Sequence, residues 1–278
     1  MKKIVIRAES GERGSSLLGG SPSPTTFTSS PIHANITSLM RRRFFVDQFD
    51  SQHAVMQGEP AHHLGRVLRA QPGQLYELSD GTSVWLGRID IVTRDRIDFA
   101  LLEQLPGYVP ELQTTLLLSV VKFDAFEWAL EKATELGVAR IVPLASARSE
   151  KALLAVAAKR ADRWKKILLE SSQQSRRVQL PILDPLAKPD AAFNPSGDAI
   201  RLLLSESPDT PSLRKTLSGV RESTAVLAIG PEGGWVDSEF AAARAAGFHE
   251  ASLGKLILRT ETAVVASLAA LNFALSAD

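Results

Sequence analysis

The chain has 278 residues, 44% of them hydrophobic and 23% charged, a composition typical of a soluble globular protein with one large domain or two ordinary ones. It contains no cysteine, which excludes disulfides, thiolate zinc sites and a cysteine nucleophile and fits a reducing, cytoplasmic location. The net charge of +1 excludes a basic field over the whole protein, and no run of about eighteen apolar residues is present to span a membrane.

The first 39 residues differ from the rest of the chain. Residues 11–38 are rich in Ser, Thr, Gly and Pro and have almost no apolar periodicity. Such a segment cannot bury enough apolar surface to offset the entropy lost on ordering, so we predict a disordered N-terminal extension over residues 1–39. Met40 precedes Arg41, Arg42 and Arg43, where structured sequence begins. We hypothesise that Met40 is the natural start, with an organelle-targeting peptide as the alternative.

Residues 40–110 are predicted to form a small β-rich domain. Turn signals such as Ser79-Asp80-Gly81 separate short apolar or alternating runs. One helix is predicted over Glu59–Arg69, and residues 106–110 are typical of a linker. The predicted strands are Phe44–Val46, Ala54–Met56, Gln74–Leu78, Val84–Ile91 and Ile97–Leu102.

From residue 111 to 278 apolar strands alternate with amphipathic helices, which predicts an α/β domain with a mostly parallel sheet. Asp124 and Glu127 have the spacing of a capping box at the start of one helix. The remaining helices are predicted over Lys151–Gln174, Asp237–Ala246 and Thr260–Leu275. The predicted strands are Thr114–Val121, Ala139–Ala145, Ala199–Leu204, Ala225–Ile229 and Ala251–Leu253.

Three of these strands end in loops that we expect to form a ligand crevice, because α/β enzymes bind ligands beyond the carboxyl ends of parallel strands. The loop Gly230–Gly234 is rich in glycine, which permits close approach of the backbone to a ligand. A tight turn between strand and helix is the structural alternative for this loop. In the last loop, Thr260 can cap the final helix and Glu261 lies in its first turn. Neither role accounts for Arg259, which could hold an anionic or developing charge.

A local basic stretch is the candidate nucleic-acid surface. Residues 145–180 contain nine Lys or Arg against three Asp or Glu. A solvated helix face is the structural alternative to a track for RNA phosphates. The arginines at 41–43 together with His62, His63, Arg66 and Arg69 form a second basic group. The His62-His63 pair has no further ligand nearby in sequence, so we expect no metal site.

Six segments resemble one protein family in order and spacing: MRRRFFVD, HHLGRVLRAQPGQLYELSDG, KATELGVARIVPL, RWKKILLESSQQSRR, IGPEGGW and LGKLILRTETA. They look like the RsmE family, the bacterial 16S ribosomal RNA (uracil-1498-N3)-methyltransferases of the trefoil-knotted SPOUT superfamily. The resemblance extends from Met40 to the end of the chain. It implies a PUA-like β-barrel RNA-binding domain over residues 40–110 and an α/β knotted methyltransferase domain over residues 111–278.

The resemblance also implies S-adenosyl-L-methionine as cofactor, a homodimer, and the 16S RNA of the 30S ribosomal subunit as partner, without a metal or a membrane. By motif position, the cofactor-binding residues would be Leu204, Ser205, Glu206, Ile229, Gly230, Pro231, Glu232, Gly233, Gly234, Leu253, Gly254, Leu256, Leu258, Thr260, Thr262 and Ala263. The predicted RNA-binding residues are Arg41, Arg42, Arg43, His63, Arg66, Arg69, Arg176 and Arg177.

The implied reaction assigns roles to three side chains. Uracil N3 is a poor nucleophile until its proton leaves, and charge then develops on the uracil oxygens. Arg259 is the predicted charge stabiliser, and Glu232 or Glu261 is the predicted proton acceptor. Two other functions stay open: a knotted methyltransferase acting on another RNA such as tRNA, and a non-catalytic RNA-binding factor in ribosome assembly.

Overall fold

The structure is a computed structural model that describes residues 43–46, 48–194 and 197–276. Its strands form two six-stranded sheets, which are joined by the segment 106–112. Three predictions lie outside these residues: the disordered extension over 1–39 and the RNA contacts of Arg41 and Arg42. The first sheet has the order β1-β4-β5-β6-β3-β2 and is antiparallel except between β1 and β4. Its strands are β1 (Arg43–Phe45), β2 (Gln48–Phe49), β3 (His53–Gln57), β4 (Leu75–Ser79), β5 (Val84–Val92) and β6 (Arg96–Leu105).

The helix predicted over Glu59–Arg69 is divided in the structure. A short helix α1 (Gly58–His62) continues into a π-helical turn (His63–Val67), and Arg69 then has a left-handed φ of 54°. Leu64 is fully buried in the core of the first sheet, whereas His63 and Arg66 face solvent. Because the backbone turns at Arg69, Ala70 returns to the core and its N–H donates to the Leu64 carbonyl at 3.1 Å.

The second sheet confirms the predicted α/β architecture, since every strand pair in it is parallel. Its order is β12-β10-β11-β7-β8-β9. The strand predicted over Ala251–Leu253 begins two residues earlier in the structure, at His249, and the chain leaves the sheet after Ala251. The strands are β7 (Gln113–Ser119), β8 (Arg140–Leu144), β9 (Ile182–Leu183), β10 (Ile200–Leu204), β11 (Thr224–Ile229) and β12 (His249–Ala251).

Helices cover both faces of this parallel sheet. Leu116 and Leu118 of β7 point to the face covered by the helices Phe123–Glu135, Ala161–Ser175 and Thr260–Leu275. Leu117 points to the other face, which is covered by Pro189–Ala192 and Asp237–Ala245. Within the described ranges, every helix is too short or too polar to traverse a lipid bilayer. The helices are α2 (Phe123–Glu135), α3 (Lys151–Ala157), α4 (Ala161–Ser175), α5 (Pro189–Ala192), α6 (Leu213–Thr216), α7 (Asp237–Ala245) and α8 (Thr260–Leu275).

The capping box predicted at Asp124 and Glu127 was wrong. Helix α2 begins one residue earlier, and its N-cap residue Lys122 makes no side-chain cap. The Glu127 carboxylate instead accepts hydrogen bonds from Arg163 Nε at 2.7 Å and Arg160 Nη1 at 3.1 Å. Glu127 is buried, and the two arginines supply the positive charge that a buried carboxylate requires.

Candidate functional site

Three neighbouring strands of the parallel sheet, β12, β10 and β11, end at one cleft of about 390 Å³. Carboxyl ends of parallel strands meet at the same edge of a sheet, so the loops that follow these strands become the walls. The cleft volume lies within the range of roughly 300–1,000 Å³ that is usual for small-molecule sites.

The loop after β11 forms the floor of the cleft. Gly234 has a φ of +71°, and its N–H closes the turn by donating to the Pro231 carbonyl at 2.8 Å. A Cβ atom on Gly230 would lie 3.1 Å from Cε2 of the Trp235 ring. Glycine at position 230 therefore allows the indole ring to pack directly against the backbone.

Two side-chain hydrogen bonds tie this loop to the other walls. Trp235 Nε1 donates to the Leu204 carbonyl at 3.0 Å, which joins the ends of β10 and β11. Thr260 Oγ1 donates to the Gly230 carbonyl at 3.3 Å, which joins the start of α8 to the glycine loop. The prediction that Thr260 caps α8 was wrong: Arg259 occupies the N-cap position, and the Thr260 hydroxyl is directed to the neighbouring loop.

The other two loops are shaped by short polar turns. Ser205 Oγ accepts from Ser207 N at 3.2 Å, and Ser205 N donates to the carbonyl of Ala251 at 3.0 Å. After β12, Ser252 Oγ donates to the Gly254 carbonyl at 3.0 Å. Gly254 has a φ of +134°, a conformation that favours glycine.

The structure brings together most of the predicted cofactor-binding residues. Thr262 alone among them does not line the cleft; it is exposed on α8. The residues of the prediction that line it are Leu204, Ser205, Glu206, Ile229, Gly230, Pro231, Glu232, Gly233, Gly234, Leu253, Gly254, Leu256, Leu258, Thr260 and Ala263.

The three predicted catalytic residues are placed differently. Glu232 lines the cleft, whereas Arg259 and Glu261 do not. Arg259 is exposed just before α8, and its guanidinium makes no hydrogen bond or ion pair with another residue of the described ranges. Glu261 lies half-buried in the first turn of α8, where a negative charge is favourable.

Sequence reasoning missed six residues of the cleft, of which Arg148 is the most informative. Arg148 follows β8, and its Nη1 atom donates to the Gly233 carbonyl at 2.6 Å. Of the described residues that line the cleft, Arg148 is the sole cation, and Glu206 and Glu232 are the anions. Its position at the carboxyl end of a strand was the available signal. The other missed residues are Ser207, Trp235, Phe240, Ala251 and Ser252.

The predicted RNA-binding residues fall into two groups. His63, Arg66 and Arg69 are exposed on the π-helical turn and just beyond it. No carboxylate of the described ranges pairs with either of these arginines, so both remain free to contact an anion. Part of the basic stretch around α4 is compensated instead, as in the ion pair of Lys166 with Glu59 at 2.8 Å.

Arg43, Glu77 and Arg176 form an ion network that joins the first sheet to the end of α4. The Arg43 side chain is only 6% exposed, and its Nη2 atom lies 3.1 Å from Glu77 Oε2. Arg176, at the end of α4, also pairs with Glu77. Burial lowers the pKa of Arg176, and the charge of Arg43 lowers it further. An RNA contact of Arg43 would require breaking this network.

Arg177 is held by carbonyl groups. Its Nη1 atom donates to the Thr134 carbonyl near the end of α2 at 2.9 Å, and its Nε atom donates to the Gln179 carbonyl at 3.0 Å. Burial lowers the pKa of Arg177 to about 10. Its guanidinium therefore stabilises the end of a helix.

Among the described residues, no group of three or more His, Cys, Asp or Glu side chains is arranged to hold a metal ion.

Comparisons with known proteins agree with this architecture. A family model described as an RNA methyltransferase domain matches residues 109–272. A ribosomal RNA small subunit methyltransferase E from Synechocystis is 34% identical, over 76% of this chain and 70% of that protein. One from Aquifex aeolicus is 31% identical, over 78% of this chain and 93% of that protein. The crystal structure of one from Neisseria gonorrhoeae, bound to S-adenosyl methionine, matches with a TM-score of 0.76 at 29% identity, over 84% of this chain and 98% of that chain.

Proposed function

Because this chain belongs to the ribosomal RNA small subunit methyltransferase E family, we propose that it methylates N3 of one uridine in the 16S RNA of the small ribosomal subunit, with S-adenosyl-L-methionine as methyl donor. The observation that carries the proposal is the cleft at the ends of β10, β11 and β12. A solved relative with the same overall fold is bound to this cofactor. We place the reaction in the cytoplasm, where ribosomal subunits are found.

The walls of the cleft fit the chemistry of this cofactor. Leu204, Ile229 and Leu258 offer apolar contact for a purine ring, and the glycine loop offers backbone N–H and C=O groups for its polar edge. Glu206 and Glu232 would face the cationic groups of the methionine portion. When bound, the cofactor supplies an activated methyl group on a sulfonium centre.

The roles proposed for the chain's own residues follow from their positions. Glu232 lines the cleft, so we assign to it, rather than to Glu261, the acceptance of the N3 proton. Arg259 is exposed beside the cleft without a partner among the described residues, so its guanidinium is available to stabilise the charge that develops on the uracil oxygens. Neither role requires another side chain to move out of an ion pair.

Uracil N3 lies on the Watson–Crick edge, so a paired uridine must leave its pair before methylation. We propose that His63, Arg66 and Arg69 contact the phosphates around the target, together with Arg41 and Arg42 of the basic start. Arg176 has a half-exposed side chain and remains a secondary candidate. Arg43 and Arg177 have structural roles and are not included.

The finer architecture is also part of the proposal. We propose a PUA-like β-barrel over residues 40–110, and a methyltransferase domain over residues 111–278 whose final segment is threaded into a trefoil knot. Membership of the methyltransferase E family supports this architecture, and the hydrogen bond from Thr260 to the Gly230 carbonyl places the start of α8 beside the loop after β11.

We further propose a homodimer. Leu256 and Ile257, in the loop beside the cleft, are 83% and 82% exposed, and Phe273 on α8 is 93% exposed. Neighbouring exposed apolar side chains, as Leu256 and Ile257 are, are typical of a surface that another chain covers, and we assign Phe273 to the same proposed surface.

A methyl-transfer assay tests the proposed function. The purified protein and labelled S-adenosylmethionine are incubated with 30S subunits, free 16S RNA or bulk tRNA from cells that lack the gene, and the labelled nucleoside is identified. We expect 3-methyluridine in the 16S RNA. Label in tRNA would replace the proposed substrate, and RNA binding without any label would favour the non-catalytic assembly factor.

A further inference from the structure

The loop that carries Arg148 is fixed at three successive residues. Ala145 N donates to the Ala187 carbonyl at 2.8 Å, and the Oγ atoms of Ser146 and Ser119 lie 2.6 Å apart. Ala147 N donates to the Glu239 carboxylate at 2.8 Å. The backbone therefore holds Arg148 at a defined place beside the cleft, although its side chain is exposed.

The Arg148 side chain lies along the glycine loop. Its Nη1 atom donates to the Gly233 carbonyl at 2.6 Å. A Cβ atom on Gly233 would lie 3.3 Å from both Cβ and Cδ of Arg148, which is closer than an ordinary contact. A side chain at position 233 would therefore point toward the aliphatic part of Arg148 and not into the cleft.

We propose that Arg148 is a positioning residue for the cofactor, and that position 233 is glycine because the Arg148 side chain lies against it. Arg148 fixes the Gly233 carbonyl and thereby the shape of the loop Gly230–Gly234. This inference rests on the proposed function, since the ligand is S-adenosyl-L-methionine. From the sequence, we expected glycine at position 233 to let a ligand approach the backbone. The inference gives a different reason: a side chain at position 233 would collide with Arg148.

The inference separates two parts of the Arg148 side chain. The guanidinium supplies the hydrogen bond to the Gly233 carbonyl, and the methylene groups fill the space beside the Gly233 Cα. Arg148→Met retains an aliphatic chain and removes the donor, Arg148→Lys retains a cationic donor, and Arg148→Ala removes both. Arg244→Met is the matched control, because Arg244 is an exposed arginine on α7 that does not line the cleft.

The test is a double-mutant cycle read by calorimetric titration with S-adenosylmethionine, with the thermal midpoint of each ligand-free variant measured in parallel. We expect Arg148→Met to weaken binding by about tenfold, the scale of one hydrogen bond from a charged group, with only a small fall in the midpoint because the Arg148 side chain is exposed. Arg148→Lys should recover part of the loss. Gly233→Ala should weaken binding in the wild-type background, but cause little further loss when combined with Arg148→Ala.

The outcomes distinguish this inference from the proposed function. If the wild-type protein does not bind S-adenosylmethionine, the proposed function itself fails. If the wild type binds and Arg148→Met binds equally well, Arg148 does not position the loop. If Gly233→Ala is as harmful in the Arg148→Ala background as in the wild-type background, the glycine serves ligand approach and the second half of the inference is overturned. An equal loss in Arg244→Met would show a nonspecific charge effect and would also overturn it.

Discussion

Glu239 and Ala147 are joined across 92 positions of the chain by a hydrogen bond of 2.8 Å from the Ala147 N–H to Glu239 Oε1. The second carboxylate oxygen, Oε2, accepts from Val236 N at 2.9 Å, immediately before α7. One buried side chain thus holds both the loop that carries Arg148 and the end of the loop that forms the cleft floor.

Glu239→Ala should destabilise the protein by about 2 kcal/mol, because two backbone N–H groups lose their acceptor in a poorly solvated place. Glu239→Gln retains one acceptor oxygen and should cost less. Urea unfolding measures both differences. Glu170→Ala, on the exposed face of α4, is the control and should leave the free energy of unfolding nearly unchanged. Equal stability of Glu239→Ala and Glu170→Ala would contradict the role given to Glu239.

Arg259→Ala should lower kcat by about 10²–10³-fold while leaving the affinity for S-adenosylmethionine unchanged, because Arg259 does not line the cleft. Single-turnover methylation of 16S RNA gives the rate, and calorimetry gives the affinity. Lys255→Ala is a suitable control, since Lys255 is an exposed cation in the same loop. Full activity of Arg259→Ala would remove the charge-stabilising role.

Glu77→Gln should destabilise the protein by roughly 3–5 kcal/mol, since Arg43 would keep its buried charge without a carboxylate. Arg176→Met should cost less than about 1 kcal/mol, because half of the Arg176 side chain is solvated and the Arg43–Glu77 pair remains. Denaturant unfolding of both variants checks the order. If Arg176→Met proved the more harmful, the buried Arg43–Glu77 pair would not be the main stabilising interaction of this network.

Asp80 should contribute a pH-dependent stability below about pH 4. Burial raises the pKa of Asp80, but hydrogen bonds from the backbone and hydroxyls of Ser83 and Thr82 outweigh it and lower the pKa from 3.8 to about 2. A carboxyl with a lowered pKa stabilises the fold above its unfolded pKa, and this contribution is lost as the pH falls toward about 2. The stability difference between wild type and Asp80→Asn should therefore shrink between about pH 5 and about pH 2.5 in urea titrations. A difference independent of pH would contradict the lowered pKa.

Phe273→Asp should convert the proposed dimer into monomers, because Phe273 protrudes from α8, and should weaken cofactor binding, because Leu256 belongs to both the proposed dimer surface and the cleft. Sedimentation equilibrium reports the mass and calorimetry the affinity. Leu180→Asp places the same charge on another exposed apolar residue and should leave the mass unchanged. A monomeric wild-type protein would contradict the dimer outright.

The loops of the cleft could be predicted from sequence because each follows an apolar strand. Runs such as Thr224–Ile229 are buried on both faces, which identifies a parallel sheet, and the carboxyl ends of its strands then converge. Arg148 also follows an apolar strand, but the sequence could not show that the loop after β8 reaches the same cleft. Its place depends on the order of β8, β7 and β11 in the sheet, and periodicity along the chain carries no information about that order.

The two capping predictions failed for a common physical reason. Thr260 and Glu127 both have side chains suited to cap a helix locally, and in both cases a partner distant in sequence competes for the same atoms. The Gly230 carbonyl accepts from the Thr260 hydroxyl, and Arg160 and Arg163 pair with Glu127. At both positions, a hydrogen bond or ion pair with a residue distant in sequence replaces the local helix cap.

The three strands that end at the cleft follow one another along the chain, but the last of them, β12, pairs with β10 and not with β11. A nascent chain that has not yet emerged through β12 therefore lacks a complete ligand site. S-adenosylmethionine would bind only the finished sheet and stabilise it by about 2.7 kcal/mol at roughly a hundred times Kd. A fall in methyl-donor concentration would thus lower the free energy of unfolding of the protein as well as its rate of methylation.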